Sequence, residues 1–149
     1  MAAVLEAHGI PVDHPGNVFE ASEVKDVLAI CAQIGSTNSA GLLRALTMPD
    51  HRLESDDLNL LVNLAQRTQQ ALPRAARDPT ILGQLSATAR QTLARVQTIV
   101  ETLEREGDVW HALTTYLFEH SPTMRQRLNR AAQGEYAAQR ELATLGQLI

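Results

Sequence analysis

Cysteine, aromatic side chains and long apolar runs are all scarce in this sequence of 149 residues. Its single cysteine, Cys31, excludes an internal disulfide, so the sequence predicts a protein of the reducing cytoplasm. Aromatic residues make up 3% of the chain, and a core must therefore be built from leucine, valine, isoleucine and alanine. No apolar run approaches the roughly 20 residues of a membrane-spanning helix, and the first residues lack the pattern of a signal peptide. We therefore expect no membrane partner.

Recognisable catalytic and metal-binding motifs are also missing. The sequence contains no glycine-rich phosphate loop, no nucleophile elbow and no paired-histidine metal motif. Its five histidines are scattered, and none lies four residues from another histidine or from the cysteine. Cys31 falls on the apolar stripe of a predicted helix, which favours a buried thiol over a nucleophile. The sequence thus predicts no catalytic residue and no metal site, and a small helical enzyme or metal protein is the least supported interpretation.

Charge is unevenly distributed along the chain. The formal net charge of −4 argues against a protein whose whole surface binds nucleic acid. Nine acidic and three basic residues precede position 61, whereas ten arginines and eight acidic residues follow. Because arginine presents a rigid fork suited to phosphates and carboxylates, the second part of the chain can carry a local basic face.

Two groups of residues are candidate DNA contacts. Arg125, Arg127 and Arg130 lie on one predicted helix, on which positions 127 and 130 share a face. His51 and Arg52 stand in a predicted connector just before another helix. Arginine side chains and helix N-termini are common contacts of phosphate groups. An ordinary solvated surface is the competing interpretation for both groups.

The spacing of apolar residues predicts a mainly α fold, a multi-helix bundle with a short extended segment near the N-terminus at residues 10–12. The longest helix is expected to end at Gly107. Five residues are predicted N-caps: Ser22, Ser55, Ser86, Asp108 and Ser121. The apolar residues expected to face the core include Phe19, Val24, Leu61 and Met124.

Both ends of the chain read as cut helices. The sequence predicts a helix over residues 1–8 that ends at Gly9 and has no N-cap residue. A helix of this length is too short to be stable alone. An apolar stripe that includes Leu145 runs to Ile149 without a stop signal. We therefore expect the chain to be part of a larger protein, with Met1 and Ile149 near each other.

The most specific pattern lies between Gly9 and Leu28. It reads Gly9-Ile10-Pro11-Val12, Gly16-Asn17, Val18-Phe19-Glu20 and Glu23-Val24-Lys25-Asp26-Val27-Leu28, and a later helix reads Leu42-Leu43-Arg44-Ala45-Leu46-Thr47-Met48-Pro49. In the order and spacing of these pieces the chain resembles the 2B subdomain of UvrD/Rep-type superfamily 1 DNA helicases, including helicase–nuclease subunits. The residues that match the family motif are Gly9, Pro11, Gly16, Phe19, Glu20, Glu23, Lys25, Asp26 and Pro49.

The resemblance implies an organisation and a function. Residues 1–20 would enter from the 2A motor subdomain, residues 21–134 would form the helical 2B domain, and residues 135–149 would return toward 2A. Such a domain positions duplex DNA and regulates unwinding in DNA repair or recombination. ATP and Mg²⁺ would bind other subdomains of the parent helicase, so this chain would hold no cofactor and be inactive alone. Its implied partners are duplex DNA, bound weakly, and the remaining helicase subdomains.

One segment departs from the family pattern. Many members carry a glycine-containing loop after the position of Pro49, and its backbone approaches the duplex, whereas this chain has His51-Arg52-Leu53-Glu54 there. Without glycine a close backbone approach is harder, which leaves Arg52 as the main donor. A free-standing helical module that binds a protein partner is the alternative interpretation of the whole chain.

Overall fold

The computed structural model describes residues 18–34 and 38–146, and within these ranges the chain forms helices and no strand. Nine α-helices occupy them: α1 (Ser22–Cys31), α2 (Ser39–Ala45), α3 (Ser55–Arg67), α4 (Leu72–Ala75), α5 (Pro79–Leu82), α6 (Ala87–Arg105), α7 (Val109–Thr115), α8 (Pro122–Ala132) and α9 (Tyr136–Gly146). Short 3₁₀ turns cover Val18–Glu20 and Pro49–His51, and a π-helical turn, Tyr116–His120, continues α7. The predicted mainly α fold is confirmed.

Three of the predicted N-caps hold the helices as expected. The side chains of Ser86, Asp108 and Ser121 accept hydrogen bonds from backbone N–H groups in the first turns of α6, α7 and α8. α6 is the longest helix of the described residues, and Gly107 follows it with a φ of +68°. That left-handed conformation suits glycine, which has no Cβ.

The two other predicted N-caps are wrong by one residue. Ser22 and Ser55 are the first residues of α1 and α3, and the extended cap positions are Ala21 and Glu54. Neither cap side chain accepts a hydrogen bond from the helix. The N-termini of α1 and α3 are therefore stabilised by acidic residues in the first turn and by burial further along each helix, rather than by a hydroxyl cap.

Buried apolar residues form two clusters, which we call the first core and the second core. The first core lies among α2 to α6 and is purely aliphatic: Leu42, Leu46, Leu53, Leu61, Ala65, Leu72, Ala75, Ala76, Ile81, Leu85, Ala89, Leu93, Val96 and Val100. The second core joins α1, α7, α8 and α9: Val24, Val27, Ile30, Ala45, Met48, Ile99, Leu103, Ala112, Leu113, Tyr116, Leu117, Met124 and Leu145. α6 contributes six residues to the two clusters, and α2 contributes Leu42 to the first and Ala45 to the second, so both helices link the clusters.

The predicted start of the core is right for Val24 and wrong for Phe19. Val24 lies on the face of α1 that packs into the second core and is fully buried. Phe19 lies in the 3₁₀ turn before α1, and 55% of its surface is exposed. The turn ends before the helical face that packs inward begins, so position 19 does not share the burial of position 24.

Several predictions concern residues outside the described ranges. They are the helix over residues 1–8, the extended segment at residues 10–12, the motif residues Gly9, Pro11 and Gly16, the end of the last helix at Ile149, and the relation between the two chain ends. Among the described residues, α9 folds back along α8 and also contacts α1. No helix there combines the length and the apolarity that a membrane crossing requires.

Candidate nucleic-acid interface

The connector between α2 and α3 alternates buried and exposed residues. The backbone N–H of His51 donates to the Met48 carbonyl at 3.1 Å, and that of Leu53 donates to the Leu46 carbonyl at 2.9 Å. His51 and Leu53 are buried, whereas Arg52 and Glu54 are exposed. The connector is therefore fixed on the protein by alternate residues, and it presents one cation and one anion to solvent.

Asp50 joins this connector to the N-terminus of α8. Its carboxylate accepts hydrogen bonds from the Ser121 hydroxyl at 2.6 Å, the Thr123 backbone N–H at 3.0 Å and the Thr123 hydroxyl at 2.5 Å. A carboxylate at a helix N-terminus also interacts favourably with the helix dipole. The structure thus brings together the two segments that carry the sequence-predicted DNA contacts.

His51 does not face solvent, and this corrects its assignment as a DNA contact. It is 3% exposed, and its Nε2 lies 3.2 Å from the hydroxyl of Tyr116 on the π-helical turn. Burial lowers the pKa of His51, with the Asp50 carboxylate opposing that shift and the charges of Arg95 and His120 adding to it. Burial also raises the pKa of the Tyr116 hydroxyl. The pair is a structural contact between a neutral imidazole and a neutral phenol.

The arginines of α8 are largely engaged by neighbouring groups. Arg127 forms an ion pair with Glu141 at 2.9 Å, and Arg130 forms one with Glu135 at 3.3 Å. Both acids become neighbours because α9 folds back along α8 after Gly134, whose φ of +87° makes the turn.

Arg125 is exposed, and its guanidinium makes a long hydrogen bond of 3.4 Å to the Glu119 carbonyl. Of the three arginines, it therefore keeps the most capacity for a phosphate.

A second group of arginines was not singled out from the sequence. Its members are exposed, and none forms an ion pair within residues 18–34 and 38–146: Arg67, Arg74, Arg77, Arg90 and Arg95. A signal for them was present, because residues 61–100 contain these five arginines and a single acid, Asp78. Local net charge over a 40-residue window therefore identifies basic surface that the net charge of the whole chain conceals.

A second arginine, Arg95 on α6, lies near the connector that carries Arg52. Arg95 stands on α6 close enough to His51 for its charge to lower the pKa of that imidazole, and Arg52 follows His51 directly in sequence. Both guanidinium groups are exposed and unpaired among the described residues. They form the candidate interface, to which Arg125 is a secondary addition.

The chemistry available at this interface is recognition of anions. Among the residues that the structure describes, no three histidine, cysteine or acidic side chains are grouped so that they could hold a metal ion.

Cys31 was expected to be buried and is instead half-buried beside the second core. Burial raises the pKa of its thiol, so the protonated, weakly nucleophilic form is favoured.

No family model matches this sequence, and neither the curated proteins nor the solved structures contain a match.

Proposed function

We propose that this chain is the accessory 2B subdomain of a UvrD/Rep-type ATP-dependent DNA helicase. In this role it contacts duplex DNA weakly and regulates unwinding in DNA repair or recombination, while ATP and Mg²⁺ bind other subdomains of the parent protein. The proposal depends on the sequence pattern between Gly9 and Leu28, followed at the family spacing by the pattern of residues 42–49.

One contact supports a common role for the two pieces of this pattern. Asp26 belongs to the first piece and lies on α1, whereas Arg44 belongs to the second and lies on α2. Their side chains form an ion pair at 2.7 Å, and Arg44 also donates to the Ser22 carbonyl at 3.1 Å. The two pieces therefore act as one packed unit that precedes the connector carrying Arg52.

The interface itself favours duplex contact through a few phosphates. Arg52 belongs to the connector at which the family's loop approaches DNA, the charge of Arg95 acts on His51 of the same connector, and neither arginine forms an ion pair among the described residues. Glu54 nearby opposes phosphate binding, so we expect an affinity low enough to need the rest of the parent protein.

The test is binding of a fluorescent duplex with a single-stranded tail, followed by anisotropy at several salt concentrations. We expect weak binding that falls steeply with salt, and each of Arg52→Gln and Arg95→Gln should reduce the salt slope by about 1. Arg105→Gln, at the exposed end of α6, is the matched control and should leave the slope unchanged. Absence of binding at low salt, or equal loss in the control, would contradict the proposed DNA contact.

A free-standing protein-interaction module is the second candidate. Three large apolar side chains of α7 and its π-helical turn favour it, because Val109, Trp110 and Phe118 are 65%, 50% and 53% exposed. Exposed aromatic residues are enriched at protein interfaces. Reading the flanking gene separates the candidates, since ATPase motifs in the same reading frame would exclude a free-standing module.

A further inference from the structure

A groove lies among α2, α4 and α6, away from the connector, and we call it the α4–α6 groove. Its volume is about 270 Å³, and six of the ten residues that line it are apolar. Leu42, Leu93 and Val96 form part of its floor and belong to the first core. The groove is therefore an apolar depression through which the first core reaches the surface.

Among the described residues, two arginines are the only charged ones that line this groove. Arg74 on α4 and Arg77 just after it are three positions apart, the spacing at which helical side chains share a face. Both are exposed, and neither forms an ion pair with any residue in the described parts of the chain. The adjacent acid, Asp78, already accepts from the Gln70 side chain at 3.1 Å and from the Thr80 backbone N–H at 2.8 Å.

The other polar lining groups are engaged within the protein. The side-chain amide of Gln33 donates to the Asn38 carbonyl at 3.1 Å, and that of Gln97 donates to Glu101 at 2.9 Å. The guanidinium groups of Arg74 and Arg77 are thus the main donors left for a ligand. A guanidinium presents a planar fork that matches a carboxylate.

The shape of the groove limits its occupant. Its volume lies below the range of about 300–1,000 Å³ that is typical of small-molecule pockets, so it suits one or two apolar side chains. No aromatic residue of the described ranges lines it, so these residues offer no stacking platform of the kind that single-stranded nucleic acid uses. An apolar floor beside two arginines on one face is complementary to a helix with apolar anchors and carboxylates one turn apart.

We propose that the α4–α6 groove docks an acidic amphipathic helix of a partner protein. One or two leucine-sized side chains of the partner occupy the floor over Leu93 and Val96, and its carboxylates pair with Arg74 and Arg77. This site is independent of the connector and its arginines, so it holds whether or not the chain is part of a helicase.

The test uses the whole chain and a fluorescent helical peptide of about 12 residues, with two leucines four positions apart and glutamates beside them. We expect saturable anisotropy, with nuclear magnetic resonance shifts at Ala76, Leu93 and Val96. The double variant Arg74→Glu, Arg77→Glu should bind at least about tenfold more weakly. Because both side chains are exposed, the variant should keep its fold, which circular dichroism checks.

Matched controls make the outcome decisive. Arg67→Glu combined with Arg105→Glu makes the same charge change at exposed positions that do not line the groove, and it should bind the peptide as the unchanged protein does. Peptides with leucine replaced by alanine, or glutamate by lysine, should lose binding. Equal weakening in the control variant, absence of peptide binding, or displacement of the peptide by duplex DNA would each overturn the proposal.

Discussion

The first and second cores differ in whether the polar and charged side chains around them have partners within the protein. The first core is purely aliphatic, and most arginines of the helices around it are exposed and form no ion pair within the described ranges, with Arg44, which pairs with Asp26, as the exception. The second core contains Tyr116, and the buried side chains of His51 and Ser121 adjoin it with hydrogen bonds across the chain. Two of the three arginines on α8 are paired, Arg127 with Glu141 on α9 and Arg130 with Glu135 just before that helix. The surface around the first core therefore keeps several arginines available for a partner, whereas ion pairs stabilise the helices around the second core.

This difference shows that the number of arginines on a helix does not measure its capacity for anions. The α8 cluster has the highest density of arginine in the sequence, yet two of its three members are paired. The region from residue 61 to residue 100 has arginines further apart but a single acid. What decides availability is the neighbouring helix, because an ion pair uses the donors that a phosphate would need.

The largest expected effect is in the first core, where packing alone supplies stability. Leu61 on α3 is fully buried, and Leu61→Ala should lower the free energy of unfolding by about 2–5 kcal/mol, because it leaves a cavity. Urea denaturation measures the change. The neighbouring residue Leu60 is 36% exposed, and Leu60→Ala should cost less than about 1 kcal/mol. Equal losses at the two positions would contradict the assigned burial.

The next effect is in the polar contacts beside the second core. Asp50→Asn removes a charged acceptor shared by Ser121 and Thr123, and the free energy of unfolding should fall by about 1–3 kcal/mol. Asp56→Asn, at an exposed position in the first turn of α3, should cost only about 0.5 kcal/mol. A thermal or urea unfolding series compares them. An unchanged stability in Asp50→Asn would show that the connector is not tied to α8 as described.

Stability should also depend on pH through His51. Its folded pKa is lowered from the ordinary value of 6.5, so the neutral form is favoured in the folded state. The free energy of unfolding should therefore be highest above about pH 6.5 and fall as the pH drops below it, by at most about 1.4 kcal/mol per pH unit.

Urea denaturation at several pH values measures this dependence. His51→Gln should reduce the slope relative to the unchanged protein. An undiminished slope in His51→Gln would assign the dependence to other groups.

The smallest effect distinguishes the two groups of arginines directly. Arg127→Gln breaks the partly buried ion pair with Glu141 and should lower the free energy of unfolding by about 1 kcal/mol or less. Arg74→Gln, whose guanidinium has no acidic partner among the described residues, should leave it unchanged within about 0.5 kcal/mol. Precise urea titrations of both variants are the measurement. A larger loss at Arg74 would reverse the comparison.

Much of the helical framework was predictable from the sequence, since its causes are local. The spacing of apolar residues correctly predicted that Leu61 and Met124 are buried. The side chains of Ser86, Asp108 and Ser121 each accept a hydrogen bond from a backbone N–H two or three residues later. Such features need only the neighbouring turns of the chain.

The candidate site was predictable only in part. Arg52 is exposed, as a DNA contact must be, but His51 is buried because it packs against Tyr116, 65 positions away. Likewise the ion pair of Arg127 depends on a helix that follows a turn. A local sequence pattern cannot predict these partners, because they become neighbours only when the helices pack together.

The sequence by itself determined that this protein is built from helices, where most of them begin and end, and which residues are apolar enough to form a core. The tertiary structure alone decided that the core has two parts linked by α2 and α6, that Asp50 joins the connector to α8, and which arginines remain exposed and unpaired. The physical reason is the distance along the chain between the residues that make each contact. Helix formation follows from contacts three or four residues apart, whereas the state of a charge follows from whichever residue packing brings beside it.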